Sequence, residues 1–485
     1  AGNIRMARTT FTETATGTLN VTNATVNVTG VTRVADGVNN ASTCLGTINL
    51  GNGAIMNCEN DLLLAFAGDA NTIGTVNIYT GAVLNVASTI ERWLIMTQWD
   101  PVSGVINVNG GTINLNANTD IRFSIEGNNT GTSVINLNSG AITSWSGNQT
   151  GTTTTGVLDL NRAAGGANNT FNLNGGVLTI NQVITGNDGG TAAFNFNGGI
   201  LRAAGNTDNF IQLGGGSQSA NVLDGGAIID TAGFDIKIPE TLQGVGTGGL
   251  TKIGNGTLTL SGGYTYSGPT AVRGGTLVID ATLFSSGGAL AVSNATLNIL
   301  TGDGVYSVNA NGVTLQGTSV ININFGTATA PTAAPISLSG GTVNNSGTTT
   351  INVTGPLLTV GTYPLIYAGV PVPTNNFVLG PLPIGVVAHL VNSGTSLDLQ
   401  ITAAGQSLTW YGANAVGNPL TTWDINTSSN WNFGTARYLQ YSDDSYGDNV
   451  IFDDSVFFGS TDITLNARVV PSSVLFSSFG QNFSI

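Results

Sequence analysis

Residues 74–86 read GTVNIYTGAVLNV, residues 104–115 read GVINVNGGTINL, and residues 133–145 read SVINLNSGAITSW. Two earlier copies, GTLNVTNATVNV from Gly17 and GTINLGNGAIMNC from Gly46, complete the series. The five starts lie 29, 28, 30 and 29 residues apart. Each copy is a short strand, a turn and another short strand. Within the first strand the apolar positions alternate with period two: Ile48 and Leu50, Val76 and Ile78, Ile106 and Val108, Ile135 and Leu137 share one face. Asn49, Asn77, Asn107 and Asn136 fall between them, on the opposite face. The turns are built of Gly and Asn, as in Asn109-Gly110-Gly111, residues that tolerate left-handed backbone.

A unit of this length, without helical periodicity, is too small to bury its apolar face alone. It buries that face only against copies above and below. The repeat therefore predicts a parallel β-solenoid, one copy per rung, with aliphatic side chains stacked inside. Ile106, Val108, Ile113 and Leu115 are expected to point inward onto Val76, Ile78, Val83 and Leu84 or Val86 of the preceding rung. Asn49, Asn77, Asn107 and Asn136 would then lie one above another, where their amides can hydrogen-bond along the stack. An antiparallel sandwich explains the alternation but not the near-constant spacing. Later copies (GVLDL from Gly156, TFNLNGGVLTI from Thr170, AFNFNGGILRA from Ala193, NVLDGGAIID from Asn221) are less evenly spaced. The irregular repeats, of 22–30 residues, extend over residues 1–403 and predict a rod.

Composition narrows the function. Only 8% of the 485 residues are charged, against about 25% in an average globular protein. The net charge is −14, with 12 bases, of which only Lys237 and Lys252 are lysines. No basic stripe for nucleic acid can be assembled. His389 is the single histidine, which rules out a multi-histidine metal site. The longest apolar runs, such as Leu62–Ala67, are strand-length, so no membrane span is present in this segment. No signal peptide is visible, as expected of the mature part of a longer chain. Cys44 and Cys58 are either two buried thiols or one disulfide closing a small loop.

The most specific segment is LTKIGNGTLTLSGGYTYSGPTAVRGGTLVID, Leu250–Asp280. It resembles the autotransporter-associated β-strand repeat, roughly LTKxGxGTLTLSGxNTYxGxTxVxxGTLxL. The match runs through Leu250, Thr251, Lys252, Gly254, Gly256–Gly262, Thr265, Tyr266, Gly268, Thr270, Val272, Gly274 or Gly275, Thr276 and Leu277. Gly263-Tyr264 stands where the family usually has a residue followed by Asn. GTYPLIYAG (Gly361–Gly369) and LTWYGANAVGNPLTTWDINTSSNWN from Leu408 also resemble segments of large bacterial surface proteins that carry this repeat. The resemblance implies an all-β, right-handed parallel β-helix passenger, exported by a Gram-negative bacterium to the outer surface or the medium. A translocating barrel is not carried over. In an exported chain the Cys44–Cys58 disulfide is the expected state.

A boundary is expected at 403–408, with a second β-rich module over 408–485. Trp410, Trp423 and Trp431 lie close together there, and serve either as the core of a cap or junction or as a platform for sugars. Asp443, Asp444, Asp448, Asp453 and Asp454 form the best candidate for Ca²⁺, against the simpler reading of a solvated loop. No other cofactor is implied. A polysaccharide lyase is the enzymatic alternative, because such enzymes use parallel β-helices and clustered acids. Here the acids are dispersed, and the marks of the pectin hydrolases that share the fold are missing too: Asn118-Thr119-Asp120 and Asn206-Thr207-Asp208 lack a following Gly, and Gly-His-Gly is absent. The reading is a non-enzymatic structural protein of a bacterial surface, a stalk or adhesin or the subunit of a fibre. A glycan-binding adhesin using the polar ladders is the alternative. The short leader AGNIRMARTTFTETATG and the apolar pieces Val474–Phe476 and Phe483–Ile485 lead us to expect end-to-end association by strand complementation.

Overall fold

The computed structural model describes residues 2–9, 13–37, 42–86, 92–99, 101–116, 119–125, 130–144, 156–162, 165–186, 189–214, 216–283, 287–302, 304–326, 328, 331–354, 360–373, 375–382, 387–403, 407–440, 448–456, 459–471 and 473–485. Among them regular structure is strand throughout, with no helix. The chain divides into two compact units. One is Ala1–Ile299 with Val308–Val320 and Leu338–Gly347; the other is Leu300–Ser307, Ile321–Ser337 and Thr348–Ile485. The boundary expected at 403–408 lies inside the second unit.

In the first unit the early copies lay strand on three faces, and equivalent strands of successive copies pair in parallel. The first face carries Thr14–Val21, Thr43–Leu50, Ile73–Tyr79 and the leading halves of Ser103–Leu115 and Thr132–Ser144. It continues through Asn168–Leu173, Thr191–Phe196 and Gln218–Val222. The second face begins with Thr25–Val28, Ile55–Cys58 and Val83–Val86 and runs through Leu250–Ile253 and Thr270–Val272 to Val343–Asn345. The third face stacks Ile4–Arg5, Thr32–Asp36, Leu62–Phe66, Arg92–Gln98, Thr119–Arg122 and Val157–Asp159. This is a parallel β-solenoid. The leader supplies Ile4–Arg5, a third-face strand of the first rung.

The register follows the apolar alternation. Ile48, Val76, Ile106, Ile135 and Phe171 form one inward column, and Leu50, Ile78, Val108, Leu137 and Leu173 the next. All of them are buried. Each such side chain contributes roughly 1.5–3 kcal/mol by leaving water. Ile113 lies on Leu84 and Leu115 on Val86. Val83 pairs with Thr112 instead and is half-buried, because one step along a strand reverses the face.

The glycine that opens the copies at Gly46, Gly74 and Gly104 has a role the composition does not suggest. Gly46, Gly74 and Gly104 are register partners inside strands, not turn residues. A Cβ on Gly46 would collide with the Val34 carbonyl, one on Gly74 with that of Leu64, and one on Gly104 with that of Met96. The third-face strand passes so close behind the first that only hydrogen fits between them. Turn glycines are a separate set: Gly110 and Gly140 have φ of 99° and 88°.

In the second unit the parallel rule breaks. Gly361–Tyr367 and Val387–Asn392 both pair antiparallel with Ser396–Ala403. Pro364 lacks the N–H that a regular ladder requires, and the register shifts between Pro364 and Ile366. From residue 407 the strands Ser407–Thr409, Asn449–Asp453 and Val474–Ser477 pair in parallel again. They cover a core of Leu408, Trp410, Trp423, Trp431, Tyr438, Val450 and Phe452. Trp410 and Trp431 meet edge-to-face at 4.9 Å, and Trp423 meets Trp431 at 5.2 Å.

Candidate functional site: asparagine ladders and a buried lysine

The outward face of the first sheet is organised by asparagine. Asn49 Nδ2 donates to Asn20 Oδ1 at 2.8 Å, Asn77 to Asn49 at 2.8 Å, Asn107 to Asn77 at 2.9 Å and Asn136 to Asn107 at 2.9 Å. The ladder runs on through Asn172, Asn195 and Asn221 at 2.8, 2.8 and 2.9 Å. Every bond points the same way, from each rung to the one before it. Two residues along the strand, Asn138, Asn174 and Asn197 repeat the pattern from Asn109. On the second face Asn57, Asn85 and Asn114 do so from Asn27. Parallel in-register strands place identical amides one rung apart, and an amide carries both a donor and an acceptor, so each can bond the next along the stack.

The second site is Lys252. Alternation from Leu250 carries this lysine inward, into the aliphatic column that contains Leu201, Ile229, Val272 and Val292, while Ile253 faces outward. The side chain is fully buried. Its three N–H groups are shared among four acceptors, Thr231 Oγ1 at 2.9 Å, Ile253 O at 3.1 Å, Gly254 O at 2.7 Å and Gly274 O at 3.0 Å. These acceptors come from three successive rungs. Burial pulls the lysine down from 10.5 to about 8, with Asp230 opposing the shift. Tyr264 and Tyr266, also buried, stack at 6.0 Å, and Tyr266 Oη lies 2.9 Å from Thr270 Oγ1. Period two counted from Leu250 is the sequence signal that turns Lys252 inward.

The remaining candidates do not assemble into chemistry. Asp443 and Asp444 lie outside the described residues. Asp448 accepts from Leu439 N at 2.8 Å, and Asp453 from Ser455 N at 2.9 Å. Asp454 accepts from Ser478 Oγ and from the N–H groups of Phe479, Gly480 and Gln481. These bonds lower Asp454 to about 2. Among the described residues no three His, Cys, Asp or Glu side chains converge as metal ligands. Trp410, Trp423 and Trp431 are core residues and offer no platform for sugars. His389 is exposed on an edge strand.

The Cys44–Cys58 disulfide is not formed. Both are free, buried thiols. Cys44 packs with Ala7, Ala35, Ala65 and Val102, whereas Cys58 lies in the second-face column between Val28 and Val86 and contacts Thr32 Oγ1 at 3.8 Å. They sit on different faces of one rung, each committed to its own column. Burial pushes Cys58 up to about 11 and also raises Cys44. The third-face acids are likewise occupied. Asp120 accepts from Gly156 N, Val157 N and Arg122, and Asp159 from Asn161 N and Gly186 N. Burial raises Asp159 despite those bonds.

Residues 250–279 match the family described as the passenger-associated-transport-repeat. This segment is similar to such a repeat. Its thirty residues are two consecutive rungs: Leu250 pairs with Thr270, and Thr257–Leu260 with Thr276–Ile279. Lys252 of the repeat ties those two rungs to the one before. The chain is also similar to the adhesin BmaC autotransporter of Brucella suis biovar 1 (strain 1330), 43% identical over 79 residues. That stretch is 16% of this chain and 2% of the adhesin, so the likeness covers a small piece of a far longer protein. Repeat and relative together mark the chain as similar to autotransporter passengers built of β-repeats. No helix among the described residues is long and apolar enough to cross a membrane.

Proposed function

We propose that this chain is a non-enzymatic structural segment of a bacterial surface or secreted protein, acting as the stalk of an adhesin or as a fibre subunit. One observation carries the reading: a passenger-associated-transport-repeat continues, without a break in register, a solenoid whose polar side chains are spent on one another. Such a surface supports a durable scaffold better than catalysis. The lyase alternative is disfavoured because Asp120 and Asp159 are bound to backbone N–H groups and arginine. Glycan binding along the ladders is disfavoured because each amide already gives one N–H and one lone pair to its neighbours, and the buried tryptophans offer no aromatic platform. The test is immunogold microscopy of intact source cells. Label on the outer surface or on fibres supports the proposal; label only after permeabilisation overturns it.

A further inference from the structure

Arginine is scarce in this chain, yet three of the ten arginines crowd one carboxylate on the third face. Arg33 Nη1 lies 3.1 Å from Asp36 Oδ1, and Arg8 Nε and Arg5 Nε lie 3.5 and 3.7 Å from Asp36 Oδ2. The parallel register explains the crowding: Arg5 pairs with Arg33, and Arg8 bridges to Asp36. Asp36 is buried, whereas the side chains of Arg5 and Arg8 are 37% and 48% exposed. Arg33 is fixed from the other side, its guanidinium 3.8 Å from the centre of the Phe66 ring.

The donor count does not balance. Each guanidinium offers five N–H groups in a planar fork, and one carboxylate has about four lone-pair positions. Arg5 and Arg8 spend only Nε, at long range, on Asp36; no other polar partner holds either among the described residues. Their forks are uncommitted, and the cluster has a net charge of +2 within a chain of −14. Two half-exposed forks, both within 4 Å of one buried oxygen, fit the paired oxygens of a carboxylate or sulfate group.

We propose that Arg5 and Arg8, braced by Asp36 and Arg33, form an anion-binding site for the carboxylate or sulfate groups of an acidic polysaccharide. Asp36 orients the guanidiniums and lowers their mutual repulsion; the ligand supplies the missing negative charge. The surface setting rests on the function proposed above, but binding by the purified chain does not, so the two stand or fall separately.

The probes are dextran sulfate and polygalacturonate, with uncharged dextran and inorganic sulfate as comparisons, titrated calorimetrically into the full chain. We expect both acidic polymers to bind, dextran not to bind, and affinity to fall as salt rises from about 50 mM to about 500 mM. Arg5→Gln/Arg8→Gln should weaken binding by about tenfold or more. Arg437→Gln/Arg468→Gln, which removes the same charge elsewhere, should leave it unchanged. An unchanged circular-dichroism spectrum confirms that the variants are folded. Absence of polymer binding to the wild-type chain, or equal loss in both double variants, overturns the site. Inorganic sulfate binding as tightly per site as dextran sulfate overturns the polysaccharide as its ligand.

Discussion

Replacing Lys252 by Met removes an ammonium but keeps most of its aliphatic volume. Two effects oppose each other. Holding the charge costs the wild type stability, since burial lowers the lysine from 10.5 to about 8, a gap worth roughly 3 kcal/mol. Against that, Met leaves acceptors unpaired. Ile253 O retains a bond from Thr231 N at 3.2 Å, but Gly254 O and Gly274 O lose the ammonium, at roughly 1–3 kcal/mol each. The two nearly cancel at neutral pH, so the pH dependence is the informative quantity. The folded-state value lies below the unfolded one, so between about 8 and 10.5 the unfolded chain binds more protons and stability rises with pH. The wild type should therefore gain up to roughly 3 kcal/mol over that range, and Lys252→Met should not. Solenoid rungs open locally, so the assay is amide hydrogen exchange at Thr231, Arg273 and Thr276, corrected for intrinsic rates. These amides bond to Ile253, Lys252 and Gly256 of the adjacent rung. Identical pH profiles for the two proteins would show that the four oxygens hold the ammonium fully charged, and would refute the reasoning.

Other outcomes follow from the same geometry. Asn107→Ala removes the bonds to Asn77 and from Asn136 and should cost about 1–2 kcal/mol by urea titration. Asn107→Asp should cost more at neutral pH, because a carboxylate cannot donate to Asn77 Oδ1, and should recover as pH falls below about 4. Gly46→Ala drives a methyl into the Val34 carbonyl and should lower the melting midpoint more than Gly2→Ala, where nothing lies within 4 Å of the added carbon. Cys44 and Cys58 should react with a thiol reagent only after denaturation, and reducing agent should leave the melting curve unchanged.

Much of the fold was legible because spacing and alternation carry the same message. Successive copies near 29 residues apart, with aliphatics at period two, specify parallel stacking, and the asparagines between them then have to coincide. What stayed hidden depends on relations between faces. Nothing local shows that the third-face strand runs against Gly46, Gly74 and Gly104, or that Cys44 and Cys58 belong to different columns. The turn to antiparallel pairing at Gly361–Tyr367 had a local cue in Pro364, but its partners lie far along the chain. At the candidate sites the amide ladder could be read from sequence and the arginine cluster could not. Arg5, Arg8, Arg33 and Asp36 meet only once rung register is known.

In a parallel solenoid each copy lies directly over the one before it. In a background with Cys44→Ser and Cys58→Ser, paired cysteines at positions 77 and 107, 107 and 136, or 77 and 136 can be oxidised and resolved by non-reducing electrophoresis. Register partners one rung apart lie about 4.8 Å apart, within reach of a disulfide, while partners two rungs apart lie beyond the limit of about 7 Å. Parallel stacking predicts that the 77/107 and 107/136 pairs cross-link within one chain and that 77/136 does not. Efficient 77/136 cross-linking, or failure of both adjacent pairs, would contradict it.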